Sequence, residues 1–216
     1  MVSTAKYVAP ELLGKFNDLY PNIELSLKVS NRDRVLERMS SHEDDLYIMG
    51  QVAHEFEDVE VYPFAPNPLV VVAPKDHDLT QRSQISLQEL AETPFILREP
   101  GSGTRDATLK VFENANIRPR IKMELGSSEA IKHAVLAGLG LSVLSLHSMT
   151  LEGPQGPLAL LDVNGFPIMR QWFIVHPKGR SLSLVAQSFL EFAISEEQTM
   201  RDAMAKQWPL VFQNAE

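Results

Sequence analysis

The chain has 216 residues, 44% of them hydrophobic and 22% charged, so it can bury a core as one large domain or two small lobes. Its formal net charge of −8 excludes a free-standing nucleic-acid binder, which needs basic surface. The absence of cysteine excludes disulfides and thiolate metal sites, and no apolar run approaches the ~18 residues of a membrane span, so we expect a cytoplasmic protein with no membrane partner.

The first third of the chain alternates helical and strand patterns. Apolar residues at helical spacing open the chain, and strict apolar–polar alternation then predicts a strand with one buried face. A short helix and another strand complete a strand–helix–strand unit with parallel strands. In chain order, the predicted elements are a helix over 6–20, a strand over 23–30, a helix over 35–39, and strands over 46–49, 59–64 and 69–73.

A second unit follows the polar, proline-led segment 74–78, where we expect a crossover between two lobes. Ser86 and Glu89 have the spacing of a capping box, which predicts a helix start. The tail after Ser195 is polar apart from residues around Trp208, and no element is assigned to it. The other predictions are strands over 94–97, 121–125, 141–146, 158–161 and 171–175, a helix through Asn116, a helix that Gly126–Ser128 precedes and Gly138–Gly140 ends, and a helix capped by Ser181 or Ser183.

The turn between the strand over 94–97 and the following helix predicts an anion socket. Its glycines leave backbone amides free to point at a ligand, its hydroxyls can donate, and its arginines supply fixed positive charge. Two alternatives stay open: the turn is a polar helix cap, and the arginines pair with Glu99 and Asp106. The candidate residues are Arg98, Gly101, Ser102, Gly103, Thr104 and Arg105.

Other polar segments also lie where a predicted strand ends and the next predicted helix begins. In a two-lobed α/β protein these loops face one cleft, and helix N-termini there present unsatisfied amides and partial positive charge. We therefore expect a small anion, such as a polyhydroxy or carboxylate-bearing phosphate. The further candidates for effector binding are Ser3, Thr4, Asn31, Arg32, Gln51, Gly126, Ser127 and Ser128.

No catalytic residue, metal site or cofactor is expected. Pro100 stands two positions before Ser102 where a nucleophile elbow needs glycine, and there is no Walker loop. Gly138-x-Gly140 lacks the third glycine of a dinucleotide fingerprint and follows a helix. His54–Glu57 lacks the second histidine of a metalloprotease motif.

Several segments resemble the effector-binding domain of LysR-type transcriptional regulators, over the whole chain. Two of them, Asp44–Gln51 and Arg98–Arg105, look like the branch that regulates carbon fixation and inorganic-carbon uptake in autotrophs. The others are Val2–Tyr7 with Pro10, Pro68–Pro74, Ile85–Leu90, Ser127–Lys132 and Val135–Leu141.

The resemblance implies an α/β fold of two Rossmann-like lobes of the type II periplasmic-binding-protein kind, joined by two crossover strands. Lobe I would be 1–73 plus 175–216, and lobe II would be 74–174. It also implies an effector such as ribulose 1,5-bisphosphate, 2-phosphoglycolate or 2-oxoglutarate in the inter-lobe cleft. Family domains pair as homodimers within tetramers, and DNA is bound by an N-terminal winged helix-turn-helix that this chain lacks.

Two other classes compete with this interpretation. A solute-binding protein of a transporter shares the fold but needs an export signal, and an enzyme on the same fold needs a convergent acid, base or nucleophile. The sequence does not decide which metabolite is the effector, whether it activates or represses, or whether a second effector site exists.

Overall fold

The computed structural model describes residues 1–3, 5–50 and 58–213, which form two compact units. Unit 1 comprises Met1–Asn67 and Arg170–Lys206, and unit 2 comprises Pro68–Met169 with the segment from Gln207 onward. The chain thus passes between the units at three points. The sequence predicts two passages, at residues 73 and 174, and it assigns the end of the chain to lobe I, whereas the structure places Gln207 in unit 2.

Strands and helices alternate through most of the described residues, with short 3₁₀ turns over Asp78–Gln81 and Leu146–Met149. In chain order, the elements are β1 (Val2–Ser3), α1 (Val8–Leu19), β2 (Lys28–Val29), α2 (Arg32–Ser40), β3 (Tyr47–Met49), β4 (Val59–Pro66), β5 (Leu69–Pro74), α3 (Leu87–Glu92), β6 (Phe95–Arg98), α4 (Gly103–Asn114), β7 (Ile121–Leu125), α5 (Ser128–Leu136), β8 (Leu141–Ser145), β9 (Leu158–Leu160), β10 (Gln171–Pro177), α6 (Leu184–Ser195), α7 (Glu197–Gln207) and α8 (Pro209–Gln213).

The sheet of unit 1 has the strand order β2-β1-β3-β10-β4. β1 pairs in parallel with β2 and β3, which confirms the predicted strand–helix–strand unit, and β10 runs antiparallel to β3 and β4. The predicted strand over 23–30 is wrong in length, since only Lys28–Val29 pairs. Ile23, Leu25 and Leu27 keep their alternation because they pack one face against the core without joining the ladder.

The sheet of unit 2 has the strand order β7-β6-β8-β5-β9. β6 is parallel to both β7 and β8, while β5 is antiparallel to β8 and β9. The predicted interior position of β5 is confirmed, because Val71, Val72 and Ala73 are fully buried between two partner strands. The segment 74–78 leads into a 3₁₀ turn inside unit 2, so the passage between units lies upstream of it, at Asn67–Pro68.

Several residues that the sequence predicts to start or end a helix do so in the structure. Ser86 and Glu89 form the predicted capping box, and Gly138 ends α5 in a left-handed conformation with φ of 72°. Ser183, not Ser181, caps α6 by accepting from the Ala186 amide at 3.2 Å. The sequence misses α7 because that helix is polar and buries only Met200 and Met204. None of the described helices is long and apolar enough to cross a membrane.

We expect Ser183→Ala to lower the free energy of unfolding by about 1 kcal/mol, because it removes the side-chain acceptor at the start of α6. Ser181→Ala is the matched control, since Ser181 is exposed and lies outside the cap. Urea denaturation of both variants measures the difference. Equal stability of the two variants would contradict the assignment of the cap.

Candidate anion-binding site

Two helix N-termini lie side by side at one edge of the unit 2 sheet. β6 and β7 are parallel neighbours, and their last residues, Arg98 and Leu125, are register partners. The turns that follow them are therefore adjacent, and the Glu99 carboxyl carbon lies 3.9 Å from where a Cβ on Gly126 would stand. α4 begins at Gly103 and α5 at Ser128, so the partial positive charges of both helices meet here.

The two helix starts use their serines differently. Ser127 caps α5, with its hydroxyl accepting from the Ala130 amide at 3.5 Å. Ser102 holds the equivalent position on α4 and is 6% exposed, but its side chain makes no capping hydrogen bond. Gly101 precedes it with φ of 80°, a conformation that favours glycine. The helix-cap alternative thus holds at Ser127, while at Ser102 the hydroxyl is left for another role.

Two further hydroxyls lie in the first turns of these helices. Ser128 is the first residue of α5 and is 5% exposed. Thr104 is half-buried in α4, where its carbonyl accepts a hydrogen bond from the Thr108 hydroxyl at 2.7 Å. Unit 2 therefore groups Ser102, Thr104 and Ser128 around two neighbouring helix N-termini.

The arginines of this edge are held by carboxylates. Arg98 donates two hydrogen bonds to Glu99, from Nε at 2.7 Å and from Nη2 at 2.8 Å. Arg105 donates to the Arg98 carbonyl at 2.9 Å and forms an ion pair with Glu124 at 2.6 Å. The Arg98–Glu99 pair is one of the two alternatives that the sequence left open. Arg105, by contrast, pairs with Glu124 and not with Asp106. Glu124 was missed because it reaches this edge only through the pairing of β7 with β6.

Unit 1 has a comparable pair of helix starts after the adjacent parallel strands β1 and β2. Asn31 caps α2, with Oδ1 accepting from the Arg34 amide at 3.1 Å, so this candidate has a structural use. Arg32 opens α2, and its Nε is buried with no hydrogen-bond partner in the described part of the chain. Ser3 ends β1, opposite Val29 and Ile48. Thr4 and Gln51 lie outside the described residues.

The far side of α5 contains a buried lysine that the sequence did not single out. Lys132 donates to the Ser148 carbonyl at 2.9 Å and forms ion pairs with Glu152 at 2.6 Å and Glu129 at 3.0 Å. Burial lowers the pKa of Lys132, but its hydrogen bonds to Glu152 and Glu129 outweigh burial and raise the pKa above 10.5. The lysine thereby ties α5 to the loop after β8.

No group of histidine, cysteine, aspartate and glutamate in the described residues could hold a metal ion. The histidine–glutamate segment 54–57 lies outside the described residues. The geometry at the β6–β7 edge offers hydroxyls, helix N-termini and neutralised arginines, which suits reversible binding of a small anion.

Comparison with known proteins gives one family and a consistent set of relatives. The family model described as the LysR substrate binding domain matches residues 1–198. The transcriptional activator CmpR of Synechocystis is 44% identical over 92% of this chain and 65% of its own length. A RuBisCO operon transcriptional regulator of Acidithiobacillus ferrooxidans is 46% identical over 88% of this chain and 62% of its own length. The chain thus spans less than two thirds of these relatives.

Solved structures agree on the fold. The CcmR regulatory domain of Synechocystis, in complex with 2-PG, superposes with a TM-score of 0.86 at 44% identity, over 92% of this chain and 96% of that one. The cofactor-binding domain of the Cbl regulator has a TM-score of 0.81 at 21% identity, which shows the fold alone. These likenesses confirm the predicted α/β fold of the type II periplasmic-binding-protein kind.

We expect the ion pairs of Lys132 to stabilise the fold fully below about pH 10.5 and to be lost as the pH rises through the raised pKa. The free energy of unfolding should therefore fall between about pH 9 and about pH 12 by more than in Lys132→Met, which has no such proton to lose. Denaturant titrations across this range measure both slopes. An identical fall in the variant would show that Lys132 contributes nothing to the alkaline loss.

Proposed function

We propose that this chain, which belongs to the LysR substrate binding domain family, is the ligand-sensing domain of a transcriptional regulator of carbon-assimilation genes. The observation that carries the proposal is the pair of adjacent helix N-termini at the β6–β7 edge, with Ser102 and Ser128 buried beside them. The regulators similar to this chain include an activator named CmpR and a RuBisCO operon regulator, which supports the gene class.

2-Phosphoglycolate is the effector that we propose first. The CcmR regulatory domain, 44% identical to this chain, was solved in complex with 2-PG. The molecule carries a phosphate and a carboxylate, and both are anions of the kind that helix N-termini and hydroxyls bind. Unit 1 also presents a donor for an anion, since Arg32 Nε is buried and has no hydrogen-bond partner among the residues that the structure describes. That one effector bridges the two lobes stays a prediction.

The alternatives weighed from the sequence receive less support. The relatives are transcriptional regulators, which favours neither a transport protein nor an enzyme. At the β6–β7 edge the two carboxylates, Glu99 and Glu124, are each paired with an arginine, which does not favour a role for them as catalytic acid or base. We therefore propose a binding function without catalysis.

We also propose that the domain forms a homodimer, that full-length protein forms a tetramer, and that DNA is bound by a segment outside this chain. Each sheet has an edge strand with exposed apolar residues, since Val29 on β2 is 51% exposed and Ile121 on β7 is 44% exposed. Unpaired edge strands of this kind are sites of association between chains. Sedimentation equilibrium measures the assembly of the isolated domain.

We expect Ser102→Ala to weaken 2-phosphoglycolate binding roughly tenfold or more, because a hydrogen bond to a charged group contributes about 1.5–3 kcal/mol. The melting temperature of the ligand-free protein should change little, since the Ser102 side chain does not cap α4. Calorimetric titration and thermal denaturation measure the two effects.

Ser183→Ala is the matched control for Ser102→Ala. It removes a serine hydroxyl that caps a helix in unit 1, so it should lower stability and leave affinity unchanged. Unaltered affinity in Ser102→Ala, with tight binding by the unsubstituted protein, would remove Ser102 from the site.

We expect Glu99→Gln to strengthen 2-phosphoglycolate binding several-fold. The change removes a like charge beside the site and releases Arg98 from its two hydrogen bonds with that carboxylate. Glu113→Gln is the control, because Glu113 is exposed in the last turn of α4 and changes net charge equally. Equal gains in both variants would indicate a general charge effect; weaker binding in Glu99→Gln would mean that the ion pair itself positions the site.

A further inference from the structure

Arg105 lies at a position where a cation is unfavourable unless specific contacts hold it. It is the third residue of α4, and the helix dipole places partial positive charge at this end of the helix. Its side chain is only 18% exposed, so the guanidinium is also largely removed from water. Both effects oppose an arginine here, so the reason for its presence must lie in its contacts.

One nitrogen of Arg105 joins three elements of unit 2. Nη1 donates to the carbonyl of Arg98, the last residue of β6, at 2.9 Å. The same nitrogen forms the ion pair with Oε1 of Glu124 on β7, at 2.6 Å. The first turn of α4 is thereby tied to the end of one strand and to the neighbouring parallel strand.

The turn between β6 and α4 also contains a hydrogen bond of its own. The Ser102 amide donates to the Glu99 carbonyl at 3.2 Å. Pro100 and Gly101 stand at the two central positions, and Gly101 has φ of 80°, as a type II turn requires. This bond fixes the shape of the turn. It does not fix the placement of the turn against β7, because both of its ends lie within the turn.

The placement of this turn decides where the proposed ligand-binding hydroxyls lie. Ser102 ends the type II turn, and Ser128 opens α5 four residues after Glu124. The Arg105–Glu124 bridge therefore connects the segment that carries one serine with the strand that leads to the other. A binding site needs its groups held within about 0.5 Å by supporting contacts, and this bridge is such a contact.

We propose that Arg105 is a positioning residue of the candidate anion site, with Glu124 as its partner, and that both act on the effector through the placement of Ser102. This role rests on the proposed function, since it concerns the same site. It differs from the role that the sequence predicts for Arg105, which is to bind the anion itself. The two roles give opposite expectations for removal of the Glu124 charge.

The first experiment measures 2-phosphoglycolate binding by Glu124→Gln in a calorimetric titration. If Arg105 bound the anion, loss of its competing carboxylate would release the guanidinium and strengthen binding. A positioning residue instead loses its charged partner on β7, so we expect binding to weaken about tenfold. Glu113→Gln is the matched control, because it makes the same charge change at an exposed position of α4. Binding by Glu124→Gln that equals or exceeds that of the control would overturn the proposal.

The second experiment replaces Arg105 by lysine and by methionine. A lysine ammonium can still donate to the Arg98 carbonyl and to Glu124, whereas methionine keeps the apolar stem and loses both contacts. A positioning role therefore predicts affinity within a few-fold in Arg105→Lys and a loss of about tenfold or more in Arg105→Met. Lys110→Met, at an exposed position of α4, controls for the lost charge. An equal loss in both Arg105 variants would indicate a guanidinium that grips the anion itself, and would overturn the positioning role.

A third measurement needs no ligand, so it tests the positioning role independently of the effector. Amide hydrogen exchange at Ser102, followed by NMR, should be faster in Glu124→Gln and in Arg105→Met than in Glu113→Gln. Exchange in the buried strand β5 should stay unchanged, which separates local release of the turn from a general loss of stability.

Unchanged exchange at Ser102 in both variants would overturn the positioning role, whatever the titrations show. Faster exchange at Ser102 together with absence of 2-phosphoglycolate binding by the unsubstituted chain would support the positioning role and contradict the proposed effector. The two proposals can therefore fail separately.

Discussion

The parallel pairing of β6 with β7 is the constraint on which the candidate site depends. Parallel neighbours must end at the same edge of a sheet, so Arg98 and Leu125 bring the turns after them together. The starts of α4 and α5 then lie side by side, although Gly103 and Ser128 are separated in sequence by a helix and a strand. Every charged or polar group at this edge therefore lies in the combined electrostatic field of two helix N-termini.

Charge at this edge is balanced before any ligand binds. The two arginines that the sequence offers as anion ligands each hold a carboxylate, Glu99 for Arg98 and Glu124 for Arg105. The groups at this edge that are not already paired with a carboxylate are the backbone amides of the two helix starts and the Ser102 hydroxyl. For the proposed anion site this pairing means that a ligand competes with a carboxylate already bound to Arg98, which lowers its affinity and suits a sensor that must follow changes in concentration.

A buried charge elsewhere in unit 2 is also paired with carboxylates. Lys132 lies on α5, and its three hydrogen-bond partners, Ser148, Glu129 and Glu152, satisfy every donor of its ammonium group. A lysine that is so fully paired serves to fix a helix against a loop, and fixing α5 also fixes the helix start at Ser128. The stability of the unit and the geometry of the candidate site are in this way linked through one helix.

The sequence by itself determined the features that depend on near neighbours. Periodicity gave most strands and helices, the spacing of Ser86 and Glu89 gave a capping box, and motif resemblance gave the family. It could not determine which carboxylate Arg105 meets, how much of 23–30 pairs, or that the chain returns to unit 2 after Lys206. These three features depend on which strands become neighbours and on which surfaces α7 and Trp208 cover. Only the tertiary structure decided them, because contacts between residues far apart in the chain are fixed by packing and leave no mark in local spacing.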